Sequence, residues 1–510
     1  MLRGSVTVES EFSAGTTSDG FITRPAHEWE MLHTQIRVLT EQLNAFKKKL
    51  FGSDSEKISQ ISGLTLFDPP AIVAEPVESE AAGIEVPAHV RRKGKRKPFG
   101  ANLERIERVI DLPAESKIRG DCGEAMTQIG ADVSERAEII PPKIFVEKLV
   151  RPKCVCRKCN GAPVAAPLPY VLPHAIAGNG LFAHVVTSKF CDAIPFYRLE
   201  GILSRYGIDF SAANMSNNIQ QFHERYGDKL LVLLEAQFRK SALLHIDETT
   251  IQVMREPDRS NKKKSYVWTL RGEKVVIFSY RTTRNADFLL EMLAKYNGRI
   301  MTDGYSGYDR IFSTLPIAHA ACHAHARRYF VEAFETAKDN RAEEVLRFYA
   351  DLYRLEAMAR KENFSEAELL KLRQEKSKPI MNAFRDWLYK RRAKSYGAKG
   401  ALDKAVNYAL NLWPKLVLFL GDAKIPLDNN AAENAIRPFV IGRKNWMISG
   451  SPAGAEASCL FYSLVESARL NGHEPYWYLR YLFDRLPFAA NDADIERLMP
   501  HNLPPQTGIG

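Results

Sequence analysis

The sequence predicts a multidomain α+β protein in which an α/β core of strand, strand, strand, helix, strand order is interrupted by an all-helical insertion. Three observations predict it. A meander of β-branched and aromatic runs begins near Ser241, an amphipathic helix and a fourth strand follow it, and helical periodicity then dominates from 337 to 420. A chain of 510 residues is also too long for one ordinary core.

Composition narrows the class of protein. Hydrophobic residues make up 45% and charged residues 26%, a globular rather than disordered balance. The net charge of +10 favours polyanionic partners, with nucleic acid foremost, although a merely basic soluble protein has the same charge. There is no apolar run of about 20 residues for a membrane span and no leader pattern at the N-terminus, so the reading is cytoplasmic. The seven cysteines are too scattered for a secreted disulfide framework.

Leu32, Ile36, Leu39, Leu43, Phe46 and Leu50 alternate spacings of four and three, which predicts a coiled-coil helix over 26–60. The same pattern suits an amphipathic helix packed on its own domain. Residues 61–100 read as a linker, Pro-, Ala- and Glu-rich, that ends in a basic run. There Arg91, Arg92, Lys93, Lys95, Arg96 and Lys97 are suited to phosphate, or simply to solvent.

Residues 101–170 carry short strand-like runs and RPKCVCRKCNG, a zinc-ribbon-like pattern. Cys156 and Cys159 form one thiolate pair, whereas the first pair is incomplete, with Arg119 three residues before Cys122. Cys154 could supply the fourth thiolate. Cys122, Cys154, Cys156 and Cys159 therefore either hold Zn²⁺ or belong to a module held together by packing. Over 171–235 a helix ending near Gly207 and another starting near Ser211 have helix-turn-helix spacing, with Asn214, Asn217 and Asn218 as candidate polar contacts to DNA.

The first part of the core, 236–336, holds the informative chemistry. SALLHIDETTIQVM, SYVWTLRG and KVVIFSYRTT read as three strands. NADFLLEMLAKYNG reads as a helix with Phe288, Leu289, Met292 and Leu293 on one face, and RIMTDGYSGY as a strand ending at Asp303. This βββαβ order is how ribonuclease-H-like folds begin, and it would bring Asp247 beside Asp303. A third acid, Glu433, lies in the second part, 421–490, on a helix expected to open after Asn430 and to close at Pro438. Glu433 could alternatively complete a capping box on Asn430. Glu248 alternates to the opposite face of its strand, and Asp428 looks like turn chemistry. Three carboxylates suit Mg²⁺, a hard cation that takes oxygen ligands, and a pair of such ions suits phosphodiester chemistry.

With these blocks in view, the chain resembles the insertion-sequence-66 transposases over nearly its whole length. LFGSDSEK, the basic linker, VRPKCVCRKC, HIDET, MTDGYSGY, CHAHARRYF, IPLDNNAAENAIRPFVIGRKNW and YSLVESARLNGHEPYWYLRYL occur in the family's order. The resemblance implies a DNA transposase that binds element ends with terminal inverted repeats, cleaves strands and transfers them, with Asp247, Asp303 and Glu433 as its metal-binding acids and two Mg²⁺ ions. It also implies accessory proteins encoded beside it and a homo-oligomer. It places a Cys-x-x-His element at CHAHARRYF beside the active site, with Arg327 and Arg328 reaching phosphate; by residue type alone, Cys322, His323 and His325 could also look like a metal cluster. Arg437, Arg443 and Lys444 would neutralise phosphates, while Trp446 would stack on a terminal base or serve as a core aromatic. Arg119 departs from the family's zinc pattern. Two other readings are a decayed transposase that only binds DNA, and a nuclease of the same fold with no joining step.

Overall fold

A computed structural model describes residues 36, 136, 144–154, 162–337, 339–393 and 400–505. Of the expected coiled coil only Ile36 falls among them; the basic run and Cys122, Cys156 and Cys159 lie outside the described residues. Cys154 is exposed on a two-residue strand, β1 (Lys153–Cys154), paired antiparallel with β2 (Val164–Ala165). Among the described residues no helix is long and apolar enough to cross a membrane.

Three helices precede the main sheet: α1 (Asn179–Phe190), α2 (Phe196–Ser204) and α3 (Ala212–Arg239). The turn between α2 and α3 uses Gly207 at φ +82°, a left-handed conformation that costs glycine little. Ser211 then caps α3, its hydroxyl accepting the Asn214 N–H at 3.2 Å. The expected boundaries hold, but α3 is 28 residues long and buries one face along its length, from Met215 and Ile219 through Phe222 and Leu230 to Phe238. Asn218 is on that face and only 6% exposed, so it is no DNA contact; Asn214 and Asn217 remain more accessible.

The mixed α+β architecture centres on a six-stranded sheet. Its long central strand is β3 (Leu243–Val253), followed by β4 (Lys264–Arg271) and β5 (Val276–Arg281). Ile246, Thr249, Thr250, Ile251 and Val253 make β3 rich in the branched side chains that suit a pleated surface. The chain then passes through α4 (Phe288–Met292) to β6 (Arg299–Thr302), α5 (Asp309–Thr314) and β7 (Ala318–Ala321). Strand order is β5-β4-β3-β6-β7, with β3 antiparallel to β4 and parallel to β6. Helix α4 has five residues, shorter than its pattern suggests. Tyr296 ends the helical path: its buried ring sends the hydroxyl to the Ala242 and Arg299 carbonyls at 3.2 and 2.9 Å, drawing the chain onto the sheet.

After β7 the chain is helical: α6 (His323–Ala337), α7 (Ala342–Lys361), α8 (Glu366–Leu372), α9 (Lys378–Ala393), α10 (Ala401–Asn411) and α11 (Trp413–Leu416). These helices bury their own apolar cluster. Phe384 sits at its centre, with ring centroids 5.4 Å from Tyr349, 5.9 Å from Phe330 and 5.5 Å from Trp413. Arg373 is buried beside the cluster, ion-paired with Glu356 at 2.7 Å and donating to the Phe419 and Asp422 carbonyls. Those two bonds fasten the segment that leads back to the sheet.

The return begins with α12 (Asn430–Trp446) and β8 (Ile448–Ser449), which pairs with the far end of β3, and continues through α13 (Pro452–Leu470), α14 (Pro475–Arg485) and α15 (Asp492–Arg497). Helix α12 does not close at Pro438; it continues to Trp446 and ends at Met447, φ +63°. An internal proline costs about 3 kcal/mol, and the buried stripe Ala432, Ala435, Ile436, Phe439 and Gly442 outweighs it by packing on the sheet. Helix α13 covers β5, where Ser463 and Ser467 accept the Phe278 and Val276 N–H groups at 2.8 and 2.9 Å. An edge that would otherwise recruit another strand is thereby satisfied.

Candidate active site

Three elements far apart in sequence carry acids into one electrostatic neighbourhood at the C-terminal side of β6, where Asp303 and Glu433 both act on Asp247, although the ligand oxygens of the three do not gather within 4.8 Å of one another. Register does the first part: His245 pairs with Met301 across parallel β3 and β6, and Asp247 and Asp303 each lie two residues further on. Asp303 follows the last residue of β6, where its carboxylate accepts the Tyr305 N–H at 2.9 Å and its carbonyl accepts the Tyr408 hydroxyl. Gly304 at φ +87° makes that turn, and a side chain there would run into Leu412.

Glu433 arrives on α12. The helix is capped by Asn429 rather than Asn430, so Glu433 stands one residue deeper than a capping box requires, and no side-chain cap bond forms. The capping explanation for Glu433 therefore fails. Asn429 is occupied elsewhere, facing His245 Nδ1 at 2.8 Å and donating to the Ile246 carbonyl at 3.0 Å. Asp428 accepts the Asn430 N–H at 3.2 Å, which is turn chemistry as the sequence suggests.

Electrostatics registers the convergence. Burial, then the charges of Glu248, Asp303 and Glu433, push Asp247 up to about 7, against the pull of the Glu248 N–H that its carboxylate accepts. Glu248, the next residue on β3, is sealed at 1% exposure and bound by Arg284 and by the Tyr308 hydroxyl at 2.8 Å, while burial and the Asp303 charge push it up. Arg284 also reaches Asp303 at 3.9 Å. Glu433 Oε1 is buried with no hydrogen-bond partner. Neighbouring carboxylates, one of them with an unsatisfied oxygen, have the chemistry a hard divalent cation takes, but Asp247 and Asp303 do not join Glu433 within 4.8 Å.

Other candidate residues divide into two groups. Arg328, Arg437 and Lys444 are exposed and Arg327 is partly so, whereas Arg443 donates to Thr249 Oγ1 at 2.9 Å and to the Thr250 carbonyl, tying α12 to β3. Trp446 is half-buried, its ring 5.7 Å from Phe439 and beneath the Lys189 ammonium at 5.5 Å. Within CHAHARRYF, His323 does not join its neighbours. Its Nε2 bonds the Leu416 carbonyl at 2.8 Å in the helical core, while Cys322 and His325 face Glu433. Sequence reasoning missed Arg284 and Asn429: an arginine in a loop and an asparagine in a polar run carry no pattern, and only the tertiary contact singles them out.

The chain matches the family described as Transposase IS66 family over residues 174–457 and the IS66 C-terminal element over 463–501. It also matches the zinc-finger binding domain of transposase IS66 over 120–160 and the Transposase C of IS166 homeodomain over 38–108. Among its relatives in Sinorhizobium fredii (strain NBRC 101917 / NGR234), Uncharacterized protein y4hP is 29% identical, covering 88% of this chain and 86% of its own. Uncharacterized protein y4qI is 31% identical, covering 80% and 78% respectively. With the match spanning more than half of its length, the chain belongs to the IS66 transposase family.

Proposed function

We propose that this protein is a DNA transposase of the acid-triad type, acting through a ribonuclease-H-like core on the ends of an insertion sequence. The convergence of Asp303 and Glu433 on Asp247 carries the reading. Strand order β5-β4-β3-β6-β7 with β4 antiparallel supports the fold assignment. In this reading 236–336 and 421–490 form the core, 337–420 is an insertion, and 26–60, 61–100, 101–170 and 171–235 serve self-association and DNA binding.

Asp247, Asp303 and Glu433 would hold two Mg²⁺ ions. When bound, such a pair would activate an attacking oxygen, of water in cleavage or of a DNA 3′-hydroxyl in joining, and stabilise the leaving one. The chain's own residues supply the rest. Asn429 fixes the start of α12 and hence Glu433, Arg284 balances the charge of Glu248 and Asp303, and exposed Arg328, Arg437 and Lys444 supply cations for phosphate. Terminal inverted repeats, a homo-oligomer and accessory element-encoded proteins complete the proposal, with a zinc-bound N-terminal module.

The test is cleavage and joining of a labelled element end, beside a gel shift on the same DNA. Asp247→Asn, Asp303→Asn and Glu433→Gln should each lower Mg²⁺-dependent cleavage by orders of magnitude and leave binding intact, with Mn²⁺ restoring part of the rate. Normal cleavage by Glu433→Gln would overturn the third ligand. Normal cleavage by Asp247→Asn would overturn the mechanism, and cleavage by the parent without joining would favour a nuclease.

A further inference from the structure

Beside the acid cluster lies a second donor set of different chemistry. One ligand atom each from Cys322, His325 and Glu433 can be chosen so that all three lie within 4.8 Å of one another. His325 Nδ1 is 3.7 Å from Glu433 Oε1, and both atoms are buried without a hydrogen-bond partner. Cys322 is fully buried, its sulfur accepting the Asn429 N–H at 3.2 Å.

The backbone holds this set in place. Cys322 donates its N–H to the Thr302 carbonyl at 3.0 Å and His323 to the Leu427 carbonyl at 2.8 Å, so the end of β7 is fixed to β6 and to the segment before α12. Cys322 and His325 stand three positions apart at the start of α6, the spacing that puts two side chains on one side of a helical turn. Glu433 faces them from α12.

Sulfur, imidazole and carboxylate together are not a Mg²⁺ set. Mg²⁺ takes oxygen, whereas a thiolate and an imidazole select Zn²⁺ and its neighbours. Three protein ligands with an open fourth position suit tetrahedral zinc, with Zn–S about 2.3 Å and Zn–N about 2.0–2.1 Å. The ligand atoms need to close by only a fraction of their present separation.

We propose that Cys322, His325 and Glu433 form a zinc site that shares Glu433 with the acid cluster, so that Zn²⁺ bound there withdraws this carboxylate from Mg²⁺ and silences strand cleavage. Binding replaces the thiol proton, which leaves to solvent. The inhibitory consequence rests on the reading of Glu433 as a Mg²⁺ ligand; the zinc site does not.

The experiment titrates the metal-stripped full chain with Zn²⁺ against a chelating indicator, in excess Mg²⁺ and without DNA. The parent should bind about one tight zinc more than Cys322→Ala or His325→Ala, because the N-terminal cysteines are common to all three. Cys191→Ala, a half-buried thiol outside this cluster, should match the parent. If Cys322→Ala does not fold, His325→Ala decides, since that side chain is 21% exposed, and circular dichroism matching the parent shows that the variant is folded. Equal stoichiometry in the parent and His325→Ala would overturn the site. In a Mg²⁺ cleavage assay, zinc beyond the N-terminal requirement should stop the parent; full cleavage with this site loaded would overturn the inhibitory role. A parent that binds the extra zinc but cleaves nothing in Mg²⁺ alone would overturn the transposase reading and leave the zinc site standing.

Discussion

Asn429 and His245 meet at 2.8 Å across the junction of α12 and β3, and the same asparagine donates to the Ile246 carbonyl and passes its backbone N–H to Cys322 Sγ. One residue thus joins the helix that carries Glu433 to the strand that carries Asp247. Asn429 is 1% exposed, so its partners have no water to replace it. Asn429→Ala should cost about 1–3 kcal/mol for the buried groups left unpaired, read from urea unfolding. Cleavage should fall further than stability does, because a small shift of α12 displaces Glu433. Full activity in a variant that is merely less stable would show that Asn429 does not position the acid.

Arg284 stands between Glu248, at 2.6 Å from its Nε, and Asp303, and lies 3.7 Å over the Tyr305 ring. Removing it leaves the sealed Glu248 carboxylate without its cation. Arg284→Met should destabilise the fold by about 3 kcal/mol, the lower end for a broken buried pair, because the arginine itself is 39% exposed. In a Glu248→Gln background the same change should cost much less, which a double-mutant cycle measures. Equal costs in both backgrounds would mean that the pair contributes only packing.

The strands β3, β4 and β5 were legible because β-branched and aromatic residues concentrate in them. The order of elements sufficed to bring Asp247 and Asp303 to neighbouring strands. β7 was not legible: Ala-His-Ala-Ala has no strand-forming side chain, and its place is fixed by parallel pairing with β6. The continuation of α12 past Pro438 was not legible either, since local propensity does not include packing against the sheet. Asn218 reads as a polar surface residue and is buried because α3 turns that face inward. Among the site residues, the acids of HIDET and MTDGYSGY stood out by residue type, whereas Arg284 and Asn429 act through partners distant in sequence.

The basic run from Arg91 to Lys97 lies outside the described residues, and its chemistry is testable directly. Replacing Arg91, Arg92, Lys93, Lys95, Arg96 and Lys97 by Gln should flatten the dependence of DNA affinity on salt, by about 0.9 in log–log slope for each phosphate that is no longer neutralised. Discrimination between element ends and unrelated DNA should persist, because cations on phosphate carry no sequence information. Affinities measured over a salt series decide it. An unchanged slope would remove these residues from the interface.

His319 provides a pH test away from the acids. It is buried, stacked on Phe312 with ring centroids 3.6 Å apart and paired through Nε2 with Thr302 Oγ1 at 2.9 Å. Burial, with a smaller contribution from Lys415, pushes it down from 6.5 to about 3. Between those values the unfolded chain holds a proton on this imidazole that the folded chain does not, so stability rises with pH across the window and is lost as pH falls from 6.5 towards 3. At about pH 5 the loss is about 2 kcal/mol, from 1.36 kcal/mol for each pH unit below the unfolded value. His319→Gln has no such proton to take up. His245 and His323, both pushed down to about 4 by burial, remain in parent and variant alike and cancel in the comparison. Urea unfolding at about pH 7.5 and about pH 5 should therefore show the parent losing about 2 kcal/mol more than the variant. Equal losses would mean that His319 takes up its proton in the folded protein as readily as in the unfolded chain.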